Sequence, residues 1–185
     1  NNMINEQQKK LEIGTVINQD TLENQAKSIY IGIGSNLGNK IKNIEKAKCF
    51  LILNGIKIVR TSCYYETSSW PNPSKPKFLN IVISIKTNFS PTKLLEIFKK
   101  IEYQLGRRKN KKNAPRQCDI DILAYKNKIL KGNISIPHER MHKRNFVLFP
   151  LYELNKNWIH PKFKINIKKL IFSLPIKDIR SIKQI

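Results

Sequence analysis

The chain is expected to fold as an α+β domain of ferredoxin-like type, a central and mostly antiparallel sheet with helices packed on its faces. Three observations carry that expectation. The apolar period switches between two and about 3.6 in the order β-α-β-β-α-β, which is the order of that arrangement. Both early helical stretches end on a glycine, a frequent helix stop. The 185 residues suit one domain with its own core, and no internal repeat divides them.

The elements follow in order. Residues 1–27 are polar and weakly periodic, and are read as an extension ahead of a single domain spanning 28–185. In SIYIGIGSNLG, Ile29, Ile31 and Ile33 alternate against Tyr30 and two glycines before a Gly/Ser/Asn turn, giving a first strand. Ile41, Ile44, Ala47 and Leu51 recur at helical spacing, and Gly55 follows. IKIVRTSCYYET reads as a second strand and FLNIVISIKT as a third, separated by the proline-rich SSWPNPSKP, which cannot join a ladder. Ser90 and Pro91 open a second helix as N-cap and first helical residue, with a stripe of Leu94, Leu95, Phe98, Ile101 and Leu105 closed by Gly106. A basic loop then leads into PRQCDIDILAY, the fourth strand. A short strand pair near Ile129 and Ile136, a turn at Pro137-His138, a helix around Phe146–Leu154 and an amphipathic piece from Ile165 to Leu174 complete the chain.

Composition excludes several classes. The amino terminus lacks an apolar signal core and the apolar runs are too short to cross a bilayer, so a cytoplasmic protein without membrane partners is expected. Cys49, Cys63 and Cys118 are odd in number and lack a C-x-x-C pair, which argues against a disulfide framework or a zinc site. The net charge of +22 invites a nucleic-acid reading, but its distribution does not. The 28 lysines are scattered, whereas five of the seven arginines, Arg107, Arg108, Arg116, Arg140 and Arg144, flank the fourth strand. Arginine offers a rigid fork that matches phosphate oxygens, and lysine does not.

That strand poses the central question. Asp119 and Asp121 stand at i and i+2, so both carboxylates share one face while Ile120 and Ile122 share the other. Two adjacent carboxylates repel unless a proton or a cation lies between them. Hard divalent cations, Mg²⁺ above all, take such oxygens together with substrate phosphates. An edge strand with a solvated acidic face is the plain alternative, and the arginines on both sides favour the polyphosphate–metal reading.

Other motifs are weaker singly. GIGSNLG lacks both the dinucleotide and the P-loop spacing, and by itself is a tight turn after a strand. GRRKNKKNAPR has the look of a solvated loop, yet it starts at a helix stop and ends at the acidic strand, where it could close over a polyphosphate. Trp70 and Phe78 with Thr67 and Asn80 suit a flat heteroaromatic ligand, stacked on a ring and read by an amide.

The ordered set YIGIGSNLG, YYET, FLN, IEYQLGR, PRQCDIDIL, IPHERM and RNFVLFPL resembles the 6-hydroxymethyl-7,8-dihydropterin pyrophosphokinases of folate biosynthesis, from about Ser28 onward. The resemblance implies a ferredoxin-like α+β enzyme that moves the β,γ-pyrophosphoryl group of ATP to the pterin hydroxymethyl oxygen and releases AMP. It implies that Asp119 and Asp121 bind two Mg²⁺ ions, and that Arg107, Lys109, Arg116, Ile122, His138 and Arg144 meet ATP. Of these, Arg107, Arg116, Asp119 and Asp121 would be the catalytic set. Thr67, Trp70 (through its backbone), Phe78, Asn80 and Phe146 would surround the pterin, with Phe78 and Phe146 sandwiching the ring. Gly34, Ser35 and Asn36 would form the wall beneath it, and Glu102 would support the site from the second helix. No strong general base is assigned, and Asp121 would receive the hydroxyl proton. Neighbouring folate-pathway enzymes are expected partners.

The chain departs from the family at three points. Lys109 stands where an arginine is usual, losing the fork. Gln117-Cys118 replaces the usual Thr-Leu, and Cys118 is expected to be a buried packing residue. The basic loop holds no tryptophan. Two rival classes remain. A ferredoxin-like RNA-binding module fits the charge but not an acidic working face, and a metal-dependent nuclease lacks further acidic residues close by.

Overall fold

The computed structural model describes residues 23, 27–69, 72–107 and 114–185. Nearly all of the extension lies outside these residues, as do Trp70, Arg108 and Lys109.

The order of elements is β1 (Ile29–Ser35), α1 (Lys40–Leu53), β2 (Lys57–Thr61), β3 (Tyr65–Thr67), β4 (Phe78–Lys86), α2 (Pro91–Gln104) and β5 (Asp119–Tyr125). A 3₁₀ turn (Met141–Lys143), α3 (Asn145–Leu154), α4 (Ile167–Phe172), α5 (Ile176–Ser181) and β6 (Lys183–Gln184) follow. The strands form one sheet in the order β5-β1-β4-β3-β6, with β2 also on β4, and every pairing is antiparallel. The fold is therefore an α+β sandwich around a mostly antiparallel sheet, as expected.

Alternation sorts the sheet into two faces. Ile29, Ile31 and Ile33 of β1, Leu79, Ile81 and Ile83 of β4, and Ile120 and Ile122 of β5 point to a first core against α1 and α2. From the helices come Ile44, Ala47, Leu51, Leu94, Ile97, Phe98 and Ile101. Cys118 is buried there, as expected, and Ile41, in the first turn of α1, is left exposed. The stripe of α2 runs through Ile97, while Leu95 and Leu105 are only partly buried. Ser90 caps α2 by accepting from the Lys93 amide, with Pro91 at the start of the helix.

The second face carries Tyr30, Gly32 and Gly34 of β1 beside Asn80 and Val82 of β4. Its far end is covered by Leu148 and Leu151 of α3, Ile167 and Leu170 of α4, and Trp158. The near end is left open, and this opening is the cleft described below.

Two local departures matter. The expected second strand is split into β2 and β3, because the Cys63 amide turns away to the Glu153 carboxylate at 3.0 and 3.1 Å. In β5 the register slips: Tyr30 faces Ala124 while Ile31 faces Ile122, leaving Leu123 unopposed. Such a bulge re-aims side chains and backbone. Leu123 and Ala124 both join the second core, and the Leu123 carbonyl accepts the His138 amide at 2.8 Å.

Candidate active site

The open end of the second face is a cleft of about 270 Å³, and its floor is the middle of the sheet. The pleat puts Gly34 directly across from Asp119 on one side and Asn80 on the other, with Gly32 across from Asp121. Gly34 in particular is needed there: a Cβ on it would lie 2.8 Å from Asn80 Oδ1. Asp119, Asp121, Arg107, Arg116, His138, Arg140 and Arg144 line one half of the cleft, and Thr67, Phe78, Asn80 and Phe146 the other.

Each charged group is tied to an element. Arg107 follows the end of α2, where Gly106 adopts φ +99° and leaves room for Gln117, whose Nε2 would be 3.2 Å from a Cβ there. Arg116 sits in the segment that enters β5, and its amide donates to Asn36 Oδ1 at 2.8 Å while its carbonyl accepts the Asn36 amide at 3.1 Å. The Nη1 atoms of Arg107 and Arg116 both donate to Asp119 Oδ1, at 2.9 and 3.1 Å. Arg116 Nε is buried and has no hydrogen-bond partner in this structure. Glu102, 6 % exposed on α2, accepts the Ile120 amide at 2.8 Å and pairs with Arg107. Burial pushes its carboxyl up to about 7, against the pull of the Ile120 amide and Arg107.

Asp121 stands beside Asp119 with Arg144 Nη1 at 3.8 Å and His138 Nε2 at 3.9 Å. Its place on the cleft floor and the Asp119 charge raise its carboxyl above the ordinary aspartate range. Since 42 % of the side chain still meets the cleft, solvent moderates that push. Burial, with Arg144 and Arg140 nearby, lowers His138 to about 4, so the ring is neutral at pH 7. Its Nδ1 lies 3.2 Å from the Arg140 amide and its Nε2 3.4 Å from Arg144 Nη1, and a neutral ring has one acceptor nitrogen, so it accepts from one of these donors at a time.

On the other half, Asn80 Nδ2 donates to Thr67 Oγ1 at 3.2 Å, both side chains being buried. The Arg144 guanidinium lies 5.4 Å from the Phe146 ring centroid. Asn36 does not line the cleft. It joins the two halves, since its Nδ2 donates to Ser69 Oγ and to the Pro76 carbonyl while its backbone and Oδ1 hold Arg116. Ser35 Oγ accepts from Asn43 Nδ2 at 3.3 Å and so fastens the end of β1 to α1.

The structure thus brings together Arg107, Arg116, Asp119, Asp121, His138, Arg144, Thr67, Phe78, Asn80 and Phe146. Trp70 and Lys109 lie outside the described residues. Ile122 turns its side chain into the first core, because alternation points it away from the face that carries Asp121. Arg140 and Gly32 line the cleft without having been singled out as site residues. The arginine clustering pointed at Arg140, and the alternation of β1 pointed at Gly32.

Paired carboxylates flanked by arginines thus lie next to a compartment lined by Phe78, Phe146 and Asn80. The chain's residues 30–156 match the model of the 7,8-dihydro-6-hydroxymethylpterin-pyrophosphokinase family, and the chain belongs to that family. It is accordingly a transferase of folate synthesis, a pyrophosphokinase with ATP as co-substrate. Among its relatives, the 2-amino-4-hydroxy-6-hydroxymethyldihydropteridine pyrophosphokinase of Aquifex aeolicus is 37% identical over 147 residues, covering 77% of this chain and 89% of that protein. The folic acid synthesis protein fol1 of Pneumocystis carinii is 35% identical over 165 residues, which is 89% of this chain but 22% of that protein. The HPPK-DHPS of Plasmodium falciparum has the same fold, with a TM-score of 0.62 over 77% of this chain and 41% of the other at 16% identity. The chain therefore spans most of the bacterial enzyme and less than half of the two longer proteins.

Proposed function

We propose that the arginine half of the cleft takes the triphosphate of ATP, the aromatic half takes 6-hydroxymethyl-7,8-dihydropterin, and the pyrophosphoryl group passes between them over Asp119 and Asp121. The observation that carries this reading is the carboxylate pair on the floor, side by side and flanked by arginines. The pair fits Mg²⁺. It offers hard oxygens, and no cluster of three metal-binding side chains exists among the described residues. Phosphate oxygens and water would then complete the coordination, the usual arrangement for this ion. Asp119 and Asp121 would hold two Mg²⁺ ions, which supply charge neutralisation on the triphosphate.

The chain's own residues do the rest. Arg107 and Arg116 each commit one Nη1 to Asp119 and keep other guanidinium N–H donors for phosphate oxygens. His138 presents a neutral ring, and Arg144 adds a guanidinium beside it, facing the same oxygen of Asp121. Lys109 and the backbone near Trp70 complete the two compartments in this reading. Asn80 and Thr67 read the polar edge of the pterin while Phe78 and Phe146 enclose its faces. The hydroxyl needs alignment more than a strong base, and Asp121 is the acceptor within reach.

The strand order, with β2 and β3 both flanking β4, supports a ferredoxin-like arrangement for residues 28–185. A cytoplasmic location belongs to the same reading; among the described residues no helix is long and apolar enough to cross a membrane. Partnership with other folate enzymes accords with relatives named as bifunctional folate synthesis proteins. RNA binding is not favoured, since the working face of the sheet carries two carboxylates.

The test is incubation with ATP, Mg²⁺ and the hydroxymethylpterin, with AMP and ADP measured separately. AMP formed in step with pterin consumption, and lost in Asp119→Ala and Asp121→Ala, is the expected result. ADP in place of AMP overturns pyrophosphoryl transfer. Full activity in either variant overturns the role of the carboxylates.

A further inference from the structure

Residues 174–185 lie beyond the stretch that matches the family model, yet they fasten onto both walls of the aromatic compartment. Leu174 is buried in the second core and Ile179 packs against it, so the segment is anchored rather than draped. From that anchor it reaches two places. The first is Asn145, which sits between Arg144 and Phe146 at the start of α3. Asn145 is 9 % exposed. Its Nδ2 donates to the Asp178 carbonyl at 2.6 Å and to Ser181 Oγ at 3.3 Å, and its Oδ1 accepts the Phe146 amide at 2.7 Å. The second is β3, the strand that ends in Thr67. There Gln184 pairs with Tyr65, Lys183 pairs with Glu66, and the Ile185 amide donates to the Tyr64 carbonyl at 3.0 Å.

A buried amide whose two N–H bonds and carbonyl are all engaged has one orientation open to it. Asn145 uses that orientation to hold the Phe146 backbone on one side and the carboxyl-terminal segment on the other. The same segment, one helix turn later, adds a strand to β3. Phe146 and Thr67 are thereby set at a fixed separation by a brace that touches neither the cleft nor its contents.

We propose that Asn145 is a positioning residue, and that through it the segment Leu174–Ile185 fixes the width of the aromatic compartment and so the affinity for the pterin. The inference rests on the reading that Phe146 and Thr67 bound the pterin compartment. Of the triphosphate half only Arg144 adjoins Asn145, and its guanidinium is set against Asp121 and His138, whereas Asp119, Arg107 and Arg116 are held by β5, α2 and Asn36.

The experiment compares Asn145→Ala, Ser181→Ala and Phe146→Ala with the parent chain, measuring pterin Kd, MgATP Kd, kcat and melting temperature. Asn145→Ala removes the shorter of the two hydrogen bonds to the Asp178 carbonyl, leaving that from Ser181, and frees the Phe146 backbone. It is expected to weaken pterin binding by about tenfold, with MgATP Kd and kcat changed by less than about twofold. Ser181 is exposed; its hydroxyl accepts the longer of the two Asn145 bonds and itself donates to the Asp178 carbonyl at 3.0 Å, so Ser181→Ala keeps the fold and weakens pterin binding by about twofold to threefold. If Asn145→Ala does not fold, Ser181→Ala alone decides. Unchanged pterin Kd in a folded Asn145→Ala overturns the proposal, as does an equal loss in pterin and MgATP affinity, which marks a merely structural residue. Phe146→Ala separates the two levels: unchanged pterin affinity there defeats the reading of the compartment, whereas loss there with none in the other two variants defeats only the brace.

Discussion

Glu102 accepts the amide of Ile120, the residue between Asp119 and Asp121, at 2.8 Å. One helix-borne carboxylate thus pins the edge of β5 at the point where both cleft carboxylates depart, and its other oxygen holds Arg107. Removing it exposes two groups at once. Glu102→Ala leaves a buried N–H without an acceptor, at a cost of about 2–3 kcal/mol in unfolding free energy. It also releases Arg107. Urea unfolding is expected to register the first effect and kcat the second. Glu102→Gln keeps a carbonyl oxygen for Ile120 but no charge for Arg107, so it is expected to recover most of the stability and little of the rate. Equal recovery of both would separate Arg107 from Glu102.

Gly34 offers a steric test of the pterin compartment. An added Cβ would sit 2.8 Å from Asn80 Oδ1 and 3.5 Å from the Phe78 ring. The strand backbone itself tolerates alanine, so the strain falls on Asn80, which must swing away from Thr67. Overpacking of this kind costs about 1–3 kcal/mol. Gly34→Ala is expected to raise the pterin KM about tenfold with a folded product, since a change of 1.4 kcal/mol is tenfold in affinity. An unchanged KM would mean that Asn80 does not contact the pterin.

The sequence carried the site well where a period of two applied. Asp119 and Asp121 fall on one face and Ile120 and Ile122 on the other simply because strand side chains alternate. The same rule turns the Ile122 side chain into the core. It failed at Leu123 and Ala124, because a bulge depends on the partner strand and not on local residue pattern. The break between β2 and β3 was hidden for a similar reason: the acceptor that draws Cys63 out of line, Glu153, is 90 residues away. Helix stripes were legible to within a residue, with Ile97 missed beside Phe98. The grip of Asn145 on the carboxyl-terminal segment had no sequence signal at all, since both of its acceptors lie more than thirty residues away.

His160 predicts how stability depends on pH. The ring is 2 % exposed, stacked 4.4 Å from Phe163, and its Nδ1 accepts the amides of Lys162 and Phe163 at 3.3 Å. Burial, with His142 and Lys162 near, lowers it from 6.5 to about 4. In the unfolded chain the same ring takes up a proton near 6.5. Between about pH 6.5 and pH 4 the unfolded state therefore binds more protons, and stability falls as pH falls through that window. His138, also lowered to about 4, acts in the same direction. A loss of about 2–3 kcal/mol from His160 is expected between pH 7 and pH 4.5. Asparagine can reproduce the acceptor at Nδ1 without titrating, so His160→Asn should unfold in urea with a visibly shallower pH slope than the parent. An identical slope would assign the pH dependence to other groups.

Chelation tests the carboxylate pair without any mutation. Asp119 already spends Oδ1 on two arginines, and Asp121 faces Arg144 and His138. Neither arrangement lets a triphosphate approach two carboxylates comfortably unless a cation is interposed. ATP is therefore expected to bind in the presence of Mg²⁺ and to bind at least about a hundredfold more weakly in EDTA, a difference of about 2.7 kcal/mol. Ligand linkage makes the same effect visible by heating: saturating MgATP should raise the melting temperature, and EDTA should return it to that of the free protein. Asp121→Asn keeps the shape of the side chain but not its charge, and should bind ATP with little preference for Mg²⁺ over EDTA. Binding of polyanions that ignores EDTA yet collapses with added salt is the behaviour of an electrostatic nucleic-acid surface, and observing it here would count against a metal-bridged triphosphate.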